Sequence, residues 1–249
     1  MNHTRQSAHR TPPDEATARA VQDALRTRVV LDEAGPRPGT GHVTGVDVAY
    51  DDDRDVVVAA AVVLDAATLA VVEEVTAVGR VEFPYVPGLL AFREIPTVLA
   101  ALDRLTVAPG LVVCDGYGQA HPRRFGLASH LGVLTGLPTL GVAKNPFTFT
   151  YEQPGPARGD FSPLVDVGDG DVRDGNVRDG AEVGRALRTQ PGVKPVFVSV
   201  GHRISLDNAC AHTLHLAASY RQPETTRHAD SLCRRALSEA TDPRQQARN

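Results

Sequence analysis

The run VVVAAAVVL, residues 56–64, lies between Asp55 and Asp65 and has no polar side chain. It is far too short to cross a bilayer, for which a helix needs about 20 apolar residues. Its valines favour a strand over a helix. A strand with no polar position has no face to give to water, so it must be covered on both sides. That excludes a one-sided antiparallel sheet and points to a sheet between two layers. The flanking segments 43–50 and 69–79 are also β-like. The acidic turn DDDRD and the short turn AAT join the three, which predicts antiparallel pairing with the apolar strand at the centre.

Apolar spacing at Val21, Ala24, Leu25 and Val29 predicts a helix over 14–32. A second helix is expected with Pro96 in its first turn and 97–105 as its body. Then come a buried strand at Leu111–Asp115, a helix over 127–134 and a strand over 138–143. The chain reads as irregular from there to about residue 180. Within it, the tract DVGDGDVRDGNVRDG reads as an exposed insertion at 168–180. A helix over 181–189, a strand over 193–201, a Ser205-capped helix over 205–218 and a helix over 228–240 complete the pattern. The fold class expected is α/β, a mixed sheet flanked by helices. One domain is expected over 15–240, with a disordered tail at 1–14 and a flexible one at 241–249.

The formal net charge is −4, from 26 basic and 30 acidic residues, so an overall basic coat for nucleic acid is absent while a local patch remains open. Cys114, Cys210 and Cys233 form neither a disulfide framework nor a zinc pattern. The first residues carry no apolar signal core, so a cytoplasmic, non-membrane protein is expected.

Four carboxylates break the pattern. Asp47 stands between Val46 and Val48, where an unpaired charge is costly. Asp115 closes its strand just before a glycine loop, at the strand end where α/β sheets bind ligands. If the two strands are neighbours, the carboxylates meet, and they repel unless a cation lies between them. Oxygen donors without a Cys/His pattern suit Mg²⁺ or Mn²⁺ rather than zinc. Pairing with arginine or capping of a loop are the plainer alternatives. Glu94, ahead of the proline-started helix, either favours a helix N-terminus or is a third metal carboxylate. Asp230 reads as a surface acid near a helix start or as a fourth.

Basic and polar groups follow three strands: His121, Arg123 and Arg124, then Lys144 and Asn145, then the GHR of 201–203. Their position suggests a phosphate-lined cleft beside the acidic centre. In FPYVPG, residues 83–88, prolines stiffen the chain around Tyr85, which reads either as a buried turn residue or as a wedge into a base step.

The segments GVDVAY (45–50), PYVPGLLAFREIP (84–96), VVCDGYGQAHPRRFGLASHLGV (112–133), PTLGVAKN (138–145), LRTQPGVKPVFVSVGHRISLDNA (187–209) and PETTRHAD (223–230) resemble, in this order, the endonuclease V (deoxyinosine 3′ endonuclease) family. The resemblance implies an RNase H-like fold and a Mg²⁺ centre of Asp47, Glu94 and Asp115, with Mn²⁺ as a substitute and Asp230 where the family has His or Asp. It implies Lys144 beside the scissile phosphate and Tyr85 as the wedge. Leu90, Gly116 and His121 fall near the flipped-base pocket, and Arg123 is expected on the substrate side. The implied reaction is hydrolysis of the second phosphodiester 3′ to deoxyinosine in DNA, leaving a 3′-hydroxyl and a 5′-phosphate, as a repair step. Inosine-specific cleavage of RNA is the alternative, and a non-catalytic binding module is the remoter one. A monomer is expected. The tract 168–180 is longer than the family pattern between its lysine and LRT motifs.

Overall fold

The computed structural model describes residues 11–166 and 180–242. The expected tail up to residue 10, the Gly/Asp tract over 167–179 and the end from residue 243 lie outside the described residues. The strands are β1 (His42–Asp51), β2 (Val56–Asp65), β3 (Val71–Arg80), β4 (Leu111–Asp115), β5 (Thr139–Ala143), β6 (Phe149–Thr150), β7 (Phe161–Asp166), β8 (Glu182–Leu187) and β9 (Val196–His202). The helices are α1 (Glu15–Arg26), α2 (Ala91–Leu102), α3 (Leu127–Thr135), α4 (Leu206–Leu216) and α5 (Glu224–Thr241). All strands join one sheet in the order β3-β2-β1-β4-β5-β9-β8-β7-β6. β1, β2 and β3 form the expected antiparallel meander. β4 runs parallel to β1 and β5 parallel to β4, while β9 is antiparallel to β5.

The apolar run becomes β2, buried from Val57 to Leu64. It lies one place in from the β3 edge, and its two faces feed two cores. Ala59 and Ala61 pack with Val46, Ile95, Val98, Val112 and Leu131, under α2 and α3. Ala60, Val62 and Leu64 pack with Val113, Val198, Ala229 and Leu232, toward α4 and α5. Period-2 alternation thus makes one strand the wall between both layers.

Several boundaries differ from expectation. Residues 182–187 form strand β8, not a helix, hydrogen-bonded between β7 and β9. Gly184 lies so close to the backbone carbonyl of Val198 that a Cβ there would stand 2.3 Å from it. β6 and β7 fall in the stretch read as irregular, and Phe149, Leu164, Val183 and Phe197 give this extension its own apolar cluster. α2 begins at Ala91, so Pro96 sits inside it and Glu94 in its first turn. α5 begins at Glu224, which moves Asp230 into its second turn. The Ser205 cap holds where the sequence marks it, accepting from the Asn208 N–H at 3.3 Å, and Asp14 caps α1 by accepting from the Thr17 N–H at 2.7 Å. Among the described residues, no helix is long and apolar enough to cross a membrane.

Candidate active site

The parallel register of β1 and β4 pairs Val46 with Cys114, so the next residues, Asp47 and Asp115, stand side by side where β4 ends. α2 packs over β1, β2 and β3 and brings Glu94, only 6% exposed. α5 packs over β1 and β2 from the opposite layer and brings Asp230. Four acids separated along the chain therefore reach one region from four elements.

Their electrostatics show the crowding. Burial, reinforced by Asp115 and Asp230, pushes the Asp47 carboxyl up to about 7, against the pull of the Val48 N–H and Lys144. The Val48 N–H donates to Asp47 Oδ1 at 2.8 Å. Burial pushes Glu94 up to about 8; the Tyr50 hydrogen bond opposes this, and Asp47 and Asp115 add to it. Tyr50 Oη donates to Glu94 Oε1 at 3.0 Å. Burial and Glu94 also raise the Tyr50 phenol, which stays a protonated donor. Lys144, just past β5, places Nζ 2.5 Å from Asp115 Oδ2. Burial lowers its proton affinity, but the bond to Asp115 and the charges of Asp115, Asp47 and Asp230 outweigh that and leave it raised. On α5, Arg234 donates to Asp230 Oδ1 at 3.0 Å.

The donor chemistry fits a hard divalent cation. The set is carboxylate oxygen alone, and a double positive charge would relieve both burial and mutual repulsion. Among the described residues, no three His, Cys, Asp or Glu side chains close into a ready ligand cage. The acids converge as a loose cluster with Lys144 bound to one member.

Beside the cluster lies a cavity of about 220 Å³, lined by Tyr85, Leu90, Gly116 and His121 together with Asp115, Gln22 and Phe147, among others. Tyr85 is 69% exposed, which removes the buried-turn reading. Gly116 has φ +143°, a conformation that favours glycine, and this lets the backbone line the cavity directly beyond Asp115. Burial pushes His121 down to about 4, so it is neutral at physiological pH. Its Nδ1 accepts from the Arg123 N–H at 3.2 Å, which assigns the proton to Nε2, 3.0 Å from the Gly88 carbonyl. Gln22 Nε2 donates to the same carbonyl at 2.9 Å.

The expected phosphate-lined cleft is corrected in part. Arg123 does not line the cavity; it pairs with Asp23 of α1 at 3.4 Å. Arg124 pairs with Asp166 at 2.6 Å. Because β9 is antiparallel to β5, His202 and Arg203 lie at the opposite end of the sheet, where Arg203 pairs with Glu33 at 2.9 Å. Of the groups after the three strands, Lys144 is the cation bonded to the carboxylate cluster.

Sequence reading missed Gln22, Tyr50, Tyr117 and Phe147. Gln22 did carry a signal, as a polar residue four after Ala18 and three before Leu25 on the buried helix face. Tyr117 and Phe147 stack at 5.8 Å beside the cavity, and nothing local marks either.

Comparison with known proteins shows the family and the fold. The family model Endonuclease V matches residues 23–231. A relative from Streptomyces avermitilis, an Endonuclease V, is 75% identical over 230 residues, covering 92% of this chain and 95% of its own. Its crystal structure superposes with a TM-score of 0.86, covering 93% of this chain and 96% of that one. The catalytic domain of human Endonuclease V is 33% identical with a TM-score of 0.79, covering 92% and 98%. Endonuclease V from Ciona intestinalis, solved in complex with a 24mer DNA containing an inosine followed by a ribo-adenosine, is 26% identical with a TM-score of 0.73, covering 90% and 98%. The mixed sheet flanked by helices is the RNase H-like architecture of these proteins, and the chain belongs to the Endonuclease V family.

Proposed function

We infer that this chain is a divalent-metal-dependent endonuclease that hydrolyses DNA on the 3′ side of deoxyinosine. The observation that carries the reading is the junction at Asp115–Gly116. Asp115 bonds Lys144 in the carboxylate cluster, and the same residue and its neighbour line the cavity. A nucleotide held in that cavity therefore has its own strand running past the acids. The DNA-bound relative supports inosine as the base.

Asp47, Glu94 and Asp115, with Asp230 from α5, would hold Mg²⁺ or Mn²⁺. When bound, the metal supplies a polarised water and charge stabilisation on the phosphoryl oxygens and leaving 3′-oxygen. The Lys144 ammonium, held at the site by Asp115, adds a positive charge for the scissile phosphate. Tyr85 stands exposed at the cavity mouth, placed to fill the gap left when a base leaves the stack. Gly88 and Gly116 offer backbone groups to hypoxanthine, which presents an O6 acceptor and an N1–H donor. Gln22 and neutral His121 hold the Gly88 carbonyl from behind. The scissile bond is assigned as the second phosphodiester 3′ to the lesion, on the family resemblance.

End-labelled strands of one sequence, with a single inosine in DNA or in RNA, test this in Mg²⁺. Cleavage one nucleotide beyond the inosine in DNA is expected. Cutting of the RNA strand alone would replace the substrate, and no cutting of either would overturn the reading. The ribo-adenosine after the inosine in the Ciona complex is the reason for the RNA arm.

A further inference from the structure

Tyr50 lies on the same strand as Asp47, three residues on, with its backbone fixed by pairing with Val57 of β2. Its hydroxyl donates to Glu94 Oε1 at 3.0 Å. The Arg93 guanidinium lies over its ring, 4.5 Å from the centroid. Arg93, itself only 9% exposed, is ion-paired with Asp52 in the β1–β2 turn. Asp52, Arg93, Tyr50 and Glu94 thus form a continuous line that ties the first turn of α2 to the hairpin carrying Asp47. Without such a tie, a glutamate side chain keeps rotational freedom that it must lose on binding a cation.

We propose that Tyr50 is a positioning residue for the reaction: its hydroxyl, backed by Arg93 on the ring face, holds one Glu94 oxygen and leaves Oε2 as the oxygen offered to the metal. This rests on the metal-centre reading above. Groups that hydrogen-bond metal ligands typically set metal affinity by about 10- to 100-fold. The role is distinct from packing, because phenylalanine keeps the ring, its burial and its contact with Arg93.

The test compares wild type, Tyr50→Phe, Glu94→Gln and the double variant. Mn²⁺ binding to the DNA-free protein is read by electron paramagnetic resonance, beside urea unfolding midpoints and cleavage kinetics. Y50F is expected to unfold close to the wild-type midpoint and to weaken Mn²⁺ binding by about tenfold. The half-saturating Mg²⁺ for cleavage should rise in step, while KM for inosine DNA stays unchanged. In the E94Q background, Y50F should cost little more Mn²⁺ affinity, because the bond it removes has already lost its carboxylate. Wild-type Mn²⁺ binding in Y50F overturns the proposal, as does an additive loss in the double variant or a rise confined to KM for DNA. A wild-type protein that binds no Mn²⁺ overturns the metal-centre reading and this proposal together, a result distinct from a failure of Tyr50 alone.

Discussion

An aromatic ring left 69% exposed at Tyr85 gives up the burial that normally stabilises such a side chain. Pro84 before it and Pro87 two residues after it limit the backbone, so little entropy remains to lose when the ring is engaged. Replacing an exposed side chain usually changes stability by less than about 0.5 kcal/mol. Stacking on a base is worth about 1–3 kcal/mol. Tyr85→Ala is therefore expected to unfold at the wild-type urea midpoint and to lose roughly tenfold in affinity for inosine-containing duplex, with a smaller loss on the undamaged duplex. Fluorescence anisotropy on the two duplexes decides it, and equal losses would show that Tyr85 contacts DNA without regard to the inosine. At this scale, the legible residues are those that violate their surroundings. Asp47 shows because a charge interrupts an apolar strand, and Tyr85 because prolines frame an aromatic. Tyr50 does not show, and Gln22 shows only as a polar residue on the buried face of its helix. The role of each comes from a partner across the fold: Glu94 for Tyr50, the Gly88 carbonyl for Gln22.

Among the elements, the contact that brings Asp230 toward Asp47 is the approach of α5 to β1. It depends on Gly45, where a Cβ would stand 2.1 Å from the Thr225 carbonyl oxygen. That atom is helix backbone and cannot rotate away. Gly45→Ala must push α5 off the sheet, which overpacks the interface at a cost of about 1–3 kcal/mol. A lowered urea midpoint is expected, with cleavage reduced further than the unfolded fraction explains, since Asp230 moves with the helix. An unchanged midpoint would show that α5 is free to slide. The elements read well where a single period dominated. The β1–β2–β3 meander, β4, β5 and β9 follow from apolar runs and short turns. β8 is not legible because EVGRAL lacks a clean period-2 pattern, and its strand form is enforced by neighbours on both sides. The start of α2 is not legible either, because a proline suits a first turn; the helix takes in the five residues before Pro96, and Glu94 with them.

Across the whole molecule, buried acids and a buried histidine drive stability in opposite directions with pH. Asp47 and Glu94 have folded values raised to about 7 and about 8 from 3.8 and 4.5. The folded chain therefore holds more protons than the unfolded chain between about pH 4 and pH 8. The stability tied to those protons is fully present at the acid end and is lost as pH rises through the folded values. His121, depressed to about 4 from 6.5, has the other sign: the unfolded chain takes its proton first, so stability falls as pH drops below about 6.5. Above that point the two carboxylates dominate this balance. The metal-free protein is expected to lose Tm from about pH 6.5 to about pH 8.5, and Asp47→Asn to flatten that limb. His121→Asn should leave the same limb intact and remove part of the acid one. A divalent cation takes the carboxylates in their charged form, so excess Mg²⁺ should raise Tm more at the alkaline end and release protons near neutrality. Calorimetric scans in chelator and in Mg²⁺ at both ends of the range measure this. An Mg²⁺ effect equal at both ends, and equal in Asp47→Asn, would detach the metal from the acid cluster. A larger alkaline effect that vanishes in Asp47→Asn would tie metal affinity, proton release and fold stability to the raised carboxyl of Asp47.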